Sequence, residues 1–363
     1  MSSSTPIVTT AAALEELAAE LGAAPAIALD TEFMRERTYR AELCLVQVAT
    51  PRSACCVDPL ALASLEPLAA PLASATTLKV LHAARQDLEV LAPVSGRFAA
   101  VFDTQTAAAL AGFAAQIGYG ELVLRLLDVT LAKAHTRADW AKRPLSAEQI
   151  DYALDDVRYL LPLREALLER LDQLGRLDWL TEELAPLAQS AGQGVDPDKA
   201  WLRLKGLQGL DPGRLALAAA LAAWRERRAI DRNRPRGWIL DDVALREVIL
   251  RVPRDKAELA SIPDMQEGVV RNSGDELLAM IAAANIPQPP PPLPRRERPD
   301  PSLALLVKKL AGVNQAVATE LGISPEVLAT RRDLEQLARG EVAESLARGW
   351  RRDIIGARLQ AAL

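Results

Sequence analysis

An apolar run, AIALDTEF at residues 26–33, ends in Asp30 and Glu32 with one residue between them. If the run is a strand, its side chains alternate faces, so the two carboxylates project to one side while Thr31 and Phe33 take the other. Like charges that close repel unless one is protonated or a cation lies between them, and clustered oxygen ligands suit Mg²⁺ or Mn²⁺. A strand leaving a core also often ends in solvated charge, so a metal reading needs support from elsewhere in the chain. HAARQDLEVL, residues 82–91, begins where a strand candidate ends and runs into a helical pattern that carries Asp87 back over the sheet's edge. VFDTQTAAAL, residues 101–110, makes the same turn at Asp103, although Asp followed by Thr at such a junction reads better as a helix cap. In YALDDVRYL, residues 152–160, Tyr152 and Asp156 are four apart and share a helix face.

The elements that must position these groups form an α/β half. Strand candidates fall at Ala26–Leu29, Leu43–Ala49, Ala54–Val57, Leu78–His82 and Ala99–Phe102, alternating with helical patterns. The gaps between the first three are too short for a crossover helix, which predicts an antiparallel meander, with the later strands joined through helices in a mixed sheet. From about Thr104 to Ser190 the pattern is helical, and Ser146-Ala-Glu-Gln reads as a capping box before Ile150. AGQGVDPD, residues 191–198, has linker composition. Residues 199–286 hold helix-length apolar patterns broken by LDPGR, RPRGW, RVPRD and NSGDE, the pattern of a small all-helical domain. PQPPPPLPRRERPDP, residues 287–301, predicts an extended, semi-rigid spacer before a last helical piece at 302–363.

Composition bounds the class. Half of the 363 residues are hydrophobic and 25% charged, as in soluble globular proteins, while only 4% are aromatic. Their number exceeds a typical single domain. The amino terminus puts Glu15 and Glu16 where a signal peptide would stay apolar, and the apolar stretch Leu215–Trp224 is far short of the ~20 residues that span a membrane. Cys44, Cys55 and Cys56, odd in number and set in apolar runs, argue for core cysteines in a reducing compartment, hence a cytoplasmic protein. The charge is uneven: residues 1–190 carry 16 Lys and Arg against 25 Asp and Glu, and residues 191–363 carry 27 against 23. An acidic first half suits metal ligation, and a basic second half could follow a polyanion.

Taken in order, DTEF, HAARQDLE, VFDTQ and KAHTRADWAKRPLSAEQIDYALDDVRYLLPL resemble the ribonuclease D family, in the tyrosine branch of the DEDD exonucleases. The resemblance covers about residues 26–165. It implies a ribonuclease H-like exonuclease domain at 1–190, a mixed sheet flanked by helices. It also implies four acids holding two divalent cations, Mg²⁺ or Mn²⁺: Asp30, Glu32, Asp87 and Asp156, with Tyr152 at the tyrosine position. The other branch has a histidine five residues before the last acid; that position is Asp151 here, which excludes it. The implied chemistry is two-metal phosphodiester hydrolysis. A phenol with an ordinary pKa near 10 is a poor base at neutral pH, so Tyr152 is expected to orient the attacking water or a phosphate oxygen. Phe33 could stack on the terminal base or sit in the core. His82 could contact substrate or pack at a strand end. Lys133, Arg137 and Arg143, flanking Trp140, offer a phosphate-contacting surface or a solvated loop.

The segment at 198–286 resembles HRDC, the helical domain found at the carboxyl ends of RecQ-type helicases and ribonuclease D. Arginines at 225, 227, 228, 232, 234 and 236 would give salt-sensitive, sequence-independent affinity for phosphates, with Arg225, Arg228 and Arg232 as candidate contacts. An exposed face kept soluble by arginine is the alternative. Residues 302–363 look like a second, diverged module of the same kind. Together these features predict a metal-dependent 3′–5′ exonuclease with no membrane partner, and the resemblance alone implies that its substrate is RNA with a single-stranded 3′ end, tRNA precursors above all. A DNA exonuclease is the nearest alternative, because the metal ligands act on phosphate and do not read the 2′-hydroxyl. A silent RNA-binding adaptor is the alternative of another class, and the filled set of five site positions argues against it.

Overall fold

The computed structural model describes residues 7–132, 138–190, 196–207, 209–286 and 301–363. These fall into two compact units, one drawn from residues 1–34, 43–193 and 299–363, the other from 35–42 and 194–298.

The first unit is built on a six-stranded sheet: β1 (Ile7–Val8), β2 (Ala26–Met34), β3 (Glu42–Ala49), β4 (Ala54–Val57), β5 (Leu78–Leu81) and β6 (Val101–Asp103), in the order β1-β4-β3-β2-β5-β6. β3 and β4 are antiparallel, joined by a tight turn in which the Thr50 N–H donates to the Ser53 carbonyl at 2.8 Å. β1 runs parallel to β4, and β5 runs parallel to both β2 and β6, so the sheet is mixed as expected. The two-residue edge strand β1 is not among the predicted strands; a run that short carries no periodicity. Alternation along β2 divides the core. Ala28 faces one apolar layer with Val80 and Phe102, and its neighbours Ile27 and Leu29 face the other with Val46 and Val48.

Helices cover both faces. α1 (Ala11–Ala23), capped by the Thr10 hydroxyl, turns Leu14, Leu17 and Leu21 inward at helical spacing. α2 (Ala69–Ala73) and α3 (Arg85–Ser95) lie along the crossovers from β4 to β5 and from β5 to β6. α4 (Thr104–Leu110) starts on Asp103, whose carboxylate accepts from the N–H groups of Gln105 and Thr106 and, across the junction, from those of Ala83 and Ala84. The cap reading of Asp103 holds. α5 (Tyr119–Leu127) follows, and α6 (Ala147–Arg158) opens on the predicted capping box, Ser146 with Gln149. α7 (Leu160–Gln173) and α8 (Leu177–Ser190) complete the layer.

The second unit is helical, with no strand among its described residues at 196–286. A 3₁₀ turn at Pro197–Arg203 leads to α9 (Pro212–Asp231), which begins with an Asp211 cap and proline at its first position. α10 (Arg236–Ile239), α11 (Asp242–Arg251), α12 (Lys256–Ala260) and α13 (Glu267–Ala283) pack around Leu217, Leu221, Leu245, Val248 and Leu277.

Residues 301–363 continue as α14 (Pro301–Leu321), α15 (Pro325–Leu328), α16 (Arg331–Ala338) and shorter turns. Their apolar side chains do not form a core apart. Leu310, Val317, Leu328 and Ile355 belong to the same apolar layer as Leu163 and Leu167 of α7. Trp350 stacks on Trp179 of α8 at 4.3 Å between ring centroids, and its indole N–H donates to Glu183 at 2.9 Å. Arg176 donates to the carbonyls of Leu110 and Leu321, tying α4 to α14.

Candidate metal centre

β2 is nine residues long, but its pairing with β5 ends at Ala28 opposite Val80, so Asp30 and Glu32 lie on the part of the strand that runs past its neighbour. Strand alternation sends both to the Ala28 side. Asp156 of α6 meets them there, and one carboxylate oxygen from each of Asp30, Glu32 and Asp156 lies within 4.8 Å of the others. Asp87, in the first turn of α3, approaches from the opposite layer. Thr31, on the side opposite Asp30 and Glu32, donates its hydroxyl to Asp87 at 2.5 Å and fixes that carboxylate. Tyr152, one turn before Asp156 on α6, hydrogen-bonds to the Asp156 carboxylate, and its ring stacks on buried Trp140 at 6.1 Å.

Four acids so placed cannot all carry charge unaided. Burial, and then the charges of Asp87, Asp156 and Glu32, hold the Asp30 carboxyl well above the usual carboxylate range. Burial, followed by Asp156 and Asp87, pushes Glu32 up to about 8. Burial likewise raises Asp87 to about 6, against the stabilising hydroxyl of Thr31, and Asp156 to about 7, against the phenol of Tyr152. Burial and the same carboxylates raise the Tyr152 phenol as well, so it stays protonated throughout the neutral range. A site that penalises its own charges this heavily is one in which divalent cations would replace protons.

The remaining candidates separate by their partners. Phe33 is half-buried near the end of β2. His82 is turned inward: its ring nitrogens pair with the Thr104 hydroxyl at 2.9 Å and the Ile117 carbonyl at 3.0 Å, and burial lowers its pKa. That satisfies both nitrogens within the fold and removes His82 from the substrate contacts. Arg143 is a clamp, donating to both Asp58 oxygens at 2.7 and 2.8 Å and to the carbonyls of Cys44 and Trp140. Its donors are spent on the protein. Arg225 is only 5% exposed and donates to the Leu240 carbonyl and to Asp242, so it too is no phosphate contact. Arg228 pairs with Glu276 and Ser273 and lies over the Trp224 ring. Arg232 is exposed. Lys133 and Arg137 lie outside the described residues.

Two residues at the centre carry roles that sequence reasoning misses. Thr31 sits on the far side of the strand, where alternation puts it, but α3 brings Asp87 to that side. Tyr119 donates its hydroxyl to the Asp155 carbonyl at 2.8 Å and accepts from the Tyr159 N–H, fixing the end of α6 that carries Asp156. Nothing local to YGELVL signals that role.

A mixed sheet whose long strand and later helix bring three carboxylates within 4.8 Å, with Asp87 near enough to raise the Asp30 pKa, has the donor set of a divalent-cation site, and comparison with known proteins gives the class. Residues 5–172 match a 3′–5′ exonuclease family and residues 214–281 the HRDC domain. Ribonuclease D of Gluconacetobacter diazotrophicus is 40% identical, over 96% of this chain and 90% of that protein, and ribonuclease D of Pseudomonas paraeruginosa is 39% identical over 97% and 96%. The crystal structure of Escherichia coli RNase D, described as an exoribonuclease involved in structured RNA processing, superposes with a TM-score of 0.86 at 32% identity, covering 98% of each chain. The chain belongs to the ribonuclease D family. It is a 3′–5′ exoribonuclease, and its exonuclease family depends on divalent metal.

Proposed function

We propose that the protein trims single-stranded 3′ ends of structured RNAs, tRNA precursors among them, by phosphodiester hydrolysis with two divalent cations, Mg²⁺ or Mn²⁺. The observation that carries this is the convergence of Asp30, Glu32 and Asp156 within 4.8 Å, with Asp87 held beside them by Thr31. The donor set fits hard cations, being all carboxylate and raised in pKa where no cation compensates it. Asp30, Glu32 and Asp156 would hold one cation; Asp30, which feels the charge of Asp87, would share the second with it. When bound, the cations supply an acidified water and neutralise charge developing on the scissile phosphate.

The chain's own groups do the rest. Thr31 holds Asp87 in one orientation, and the Asp103 carboxylate pins the β5–α3 junction from which Asp87 projects. Tyr152, protonated and backed by Trp140, has a hydroxyl that orients the attacking water or a phosphate oxygen and does not act as a base.

The substrate is tested by giving the protein a 5′-labelled tRNA precursor with extra 3′ residues, the mature tRNA, and matched single-stranded DNA. A ladder that shortens the precursor and stops near the mature end supports the reading. Shortening of the DNA alone would leave the chemistry and overturn the substrate.

A further inference from the structure

The segment at 35–42, RERTYRAE, leaves β2 directly after Met34, yet its contacts place it in the helical unit. There it is pinned to the last turns of α9 and to the turn that follows. The Tyr39 hydroxyl donates to Glu226, a carboxylate only 1% exposed. Arg236 donates to the same carboxylate at 2.5 and 2.7 Å and lies over the Tyr39 ring at 5.0 Å. A second tie joins the Arg40 N–H to the Asn233 side chain at 3.1 Å. Arg236 is consumed by this anchor, but the anchor brings together the two segments that carry the exposed residues Arg37, Arg40, Arg232 and Arg234, with exposed Arg203 close enough for its charge to stabilise Glu226. Glu36 and Asp231 offset only part of that charge. Beside them Trp238 is 52% exposed, and among the described residues it is the one aromatic side chain left open to solvent to this degree. The Arg234 guanidinium sits over its ring at 5.6 Å.

We infer that segment 35–42 and turn 232–238 together form a single-strand RNA track, in which Trp238 stacks on a base and Arg37, Arg40, Arg232 and Arg234 contact phosphates. Arginines interleaved with an open aromatic ring are what a sequence-tolerant single-strand surface requires. Chain connectivity ties the track to the reaction. Arg37 is five residues beyond Glu32, so the two α-carbons lie within about 18 Å whatever the path between them. An RNA long enough to reach both Arg37 and the carboxylates would therefore gain affinity from the track. The inference rests on the exoribonuclease reading and adds to it the surface that rewards a longer substrate.

The test uses the full chain and compares wild type, the double variant Arg37→Glu/Arg234→Glu, and Trp238→Ala. Affinity for a single-stranded RNA of about a dozen nucleotides is read by fluorescence anisotropy with metal chelated, across a salt series, and kcat/KM is read with Mg²⁺ on that RNA and on a trinucleotide. The double variant is expected to flatten the logarithmic salt slope by about 1.4, about 0.7 for each phosphate that arginine no longer neutralises. Trp238→Ala is expected to weaken binding about tenfold with the slope retained. Both variants should shrink the kinetic advantage of the long RNA over the trinucleotide. Unchanged affinity and salt slope in both would overturn the track and leave the turn as a surface for protein or for nothing. Wild type that binds the long RNA but shortens neither substrate would overturn the exonuclease reading, while the binding arm still decides the track.

Discussion

Asp30 faces three other acids, so its charge costs the metal-free fold and serves the metal-loaded one. The folded chain keeps protons on Glu32, Asp87 and Asp156 at pH values where the unfolded chain has released them. Their stabilising effect is complete below the ordinary carboxylate pKa of about 4 and is lost as the pH rises through the raised values toward about 8. Chelated protein should therefore melt at progressively lower temperature from about pH 5 to about pH 8, and added Mg²⁺ should recover most at the upper end. Asp30→Asn should flatten that loss in chelator and remove the Mg²⁺ response. Melts of the two proteins with and without metal check this; an equal pH slope in both would mean the acids are not coupled. Tyr152→Phe keeps the ring on Trp140 and loses only the hydroxyl, so kcat should fall about 100-fold with KM nearly unchanged. A rise in KM at constant kcat would make Tyr152 a binding residue.

At the scale of elements, the period-two pattern is enough to place Asp30 and Glu32 on one face of β2, and the i,i+4 spacing enough to put Tyr152 over Asp156. What it cannot supply is the meeting of distant pieces. Thr31 gains its role only because α3 returns on its side of the sheet. Arg225 misleads because a charge run reads as a surface, although its position one turn after Leu221 and next to Trp224 puts it on the buried face of α9. The carboxyl-terminal helices show the same limit: their amphipathic pattern signals a buried face without naming what buries it. They complete the apolar layer under α7 and α8, so Trp350→Ala, at a side chain 4% exposed, should cost about 3–5 kcal/mol of the exonuclease unit's stability. Denaturant melts would read this, and a loss below about 1 kcal/mol would show that the stacking on Trp179 carries little.

For the whole molecule, the acidic half bears the carboxylate cluster and the basic half bears the arginine-rich turn. This division explains a chain that is acidic overall yet acts on a polyanion. On the proposed reading, cations would neutralise the first half where the phosphate reacts, and arginine would meet the phosphates that do not. No helix among the described residues is long and apolar enough to cross a membrane.

The most direct measurement follows a 5′-labelled RNA with a single-stranded 3′ end, with Mg²⁺ or Mn²⁺ supplied or chelated, in wild type and Asp30→Ala. A ladder shortening one nucleotide at a time from the 3′ end is expected, abolished by chelation and reduced by about 1,000-fold or more in Asp30→Ala. Continued shortening by Asp30→Ala, or by wild type in chelator, would contradict the assignment of the carboxylate cluster as the metal centre.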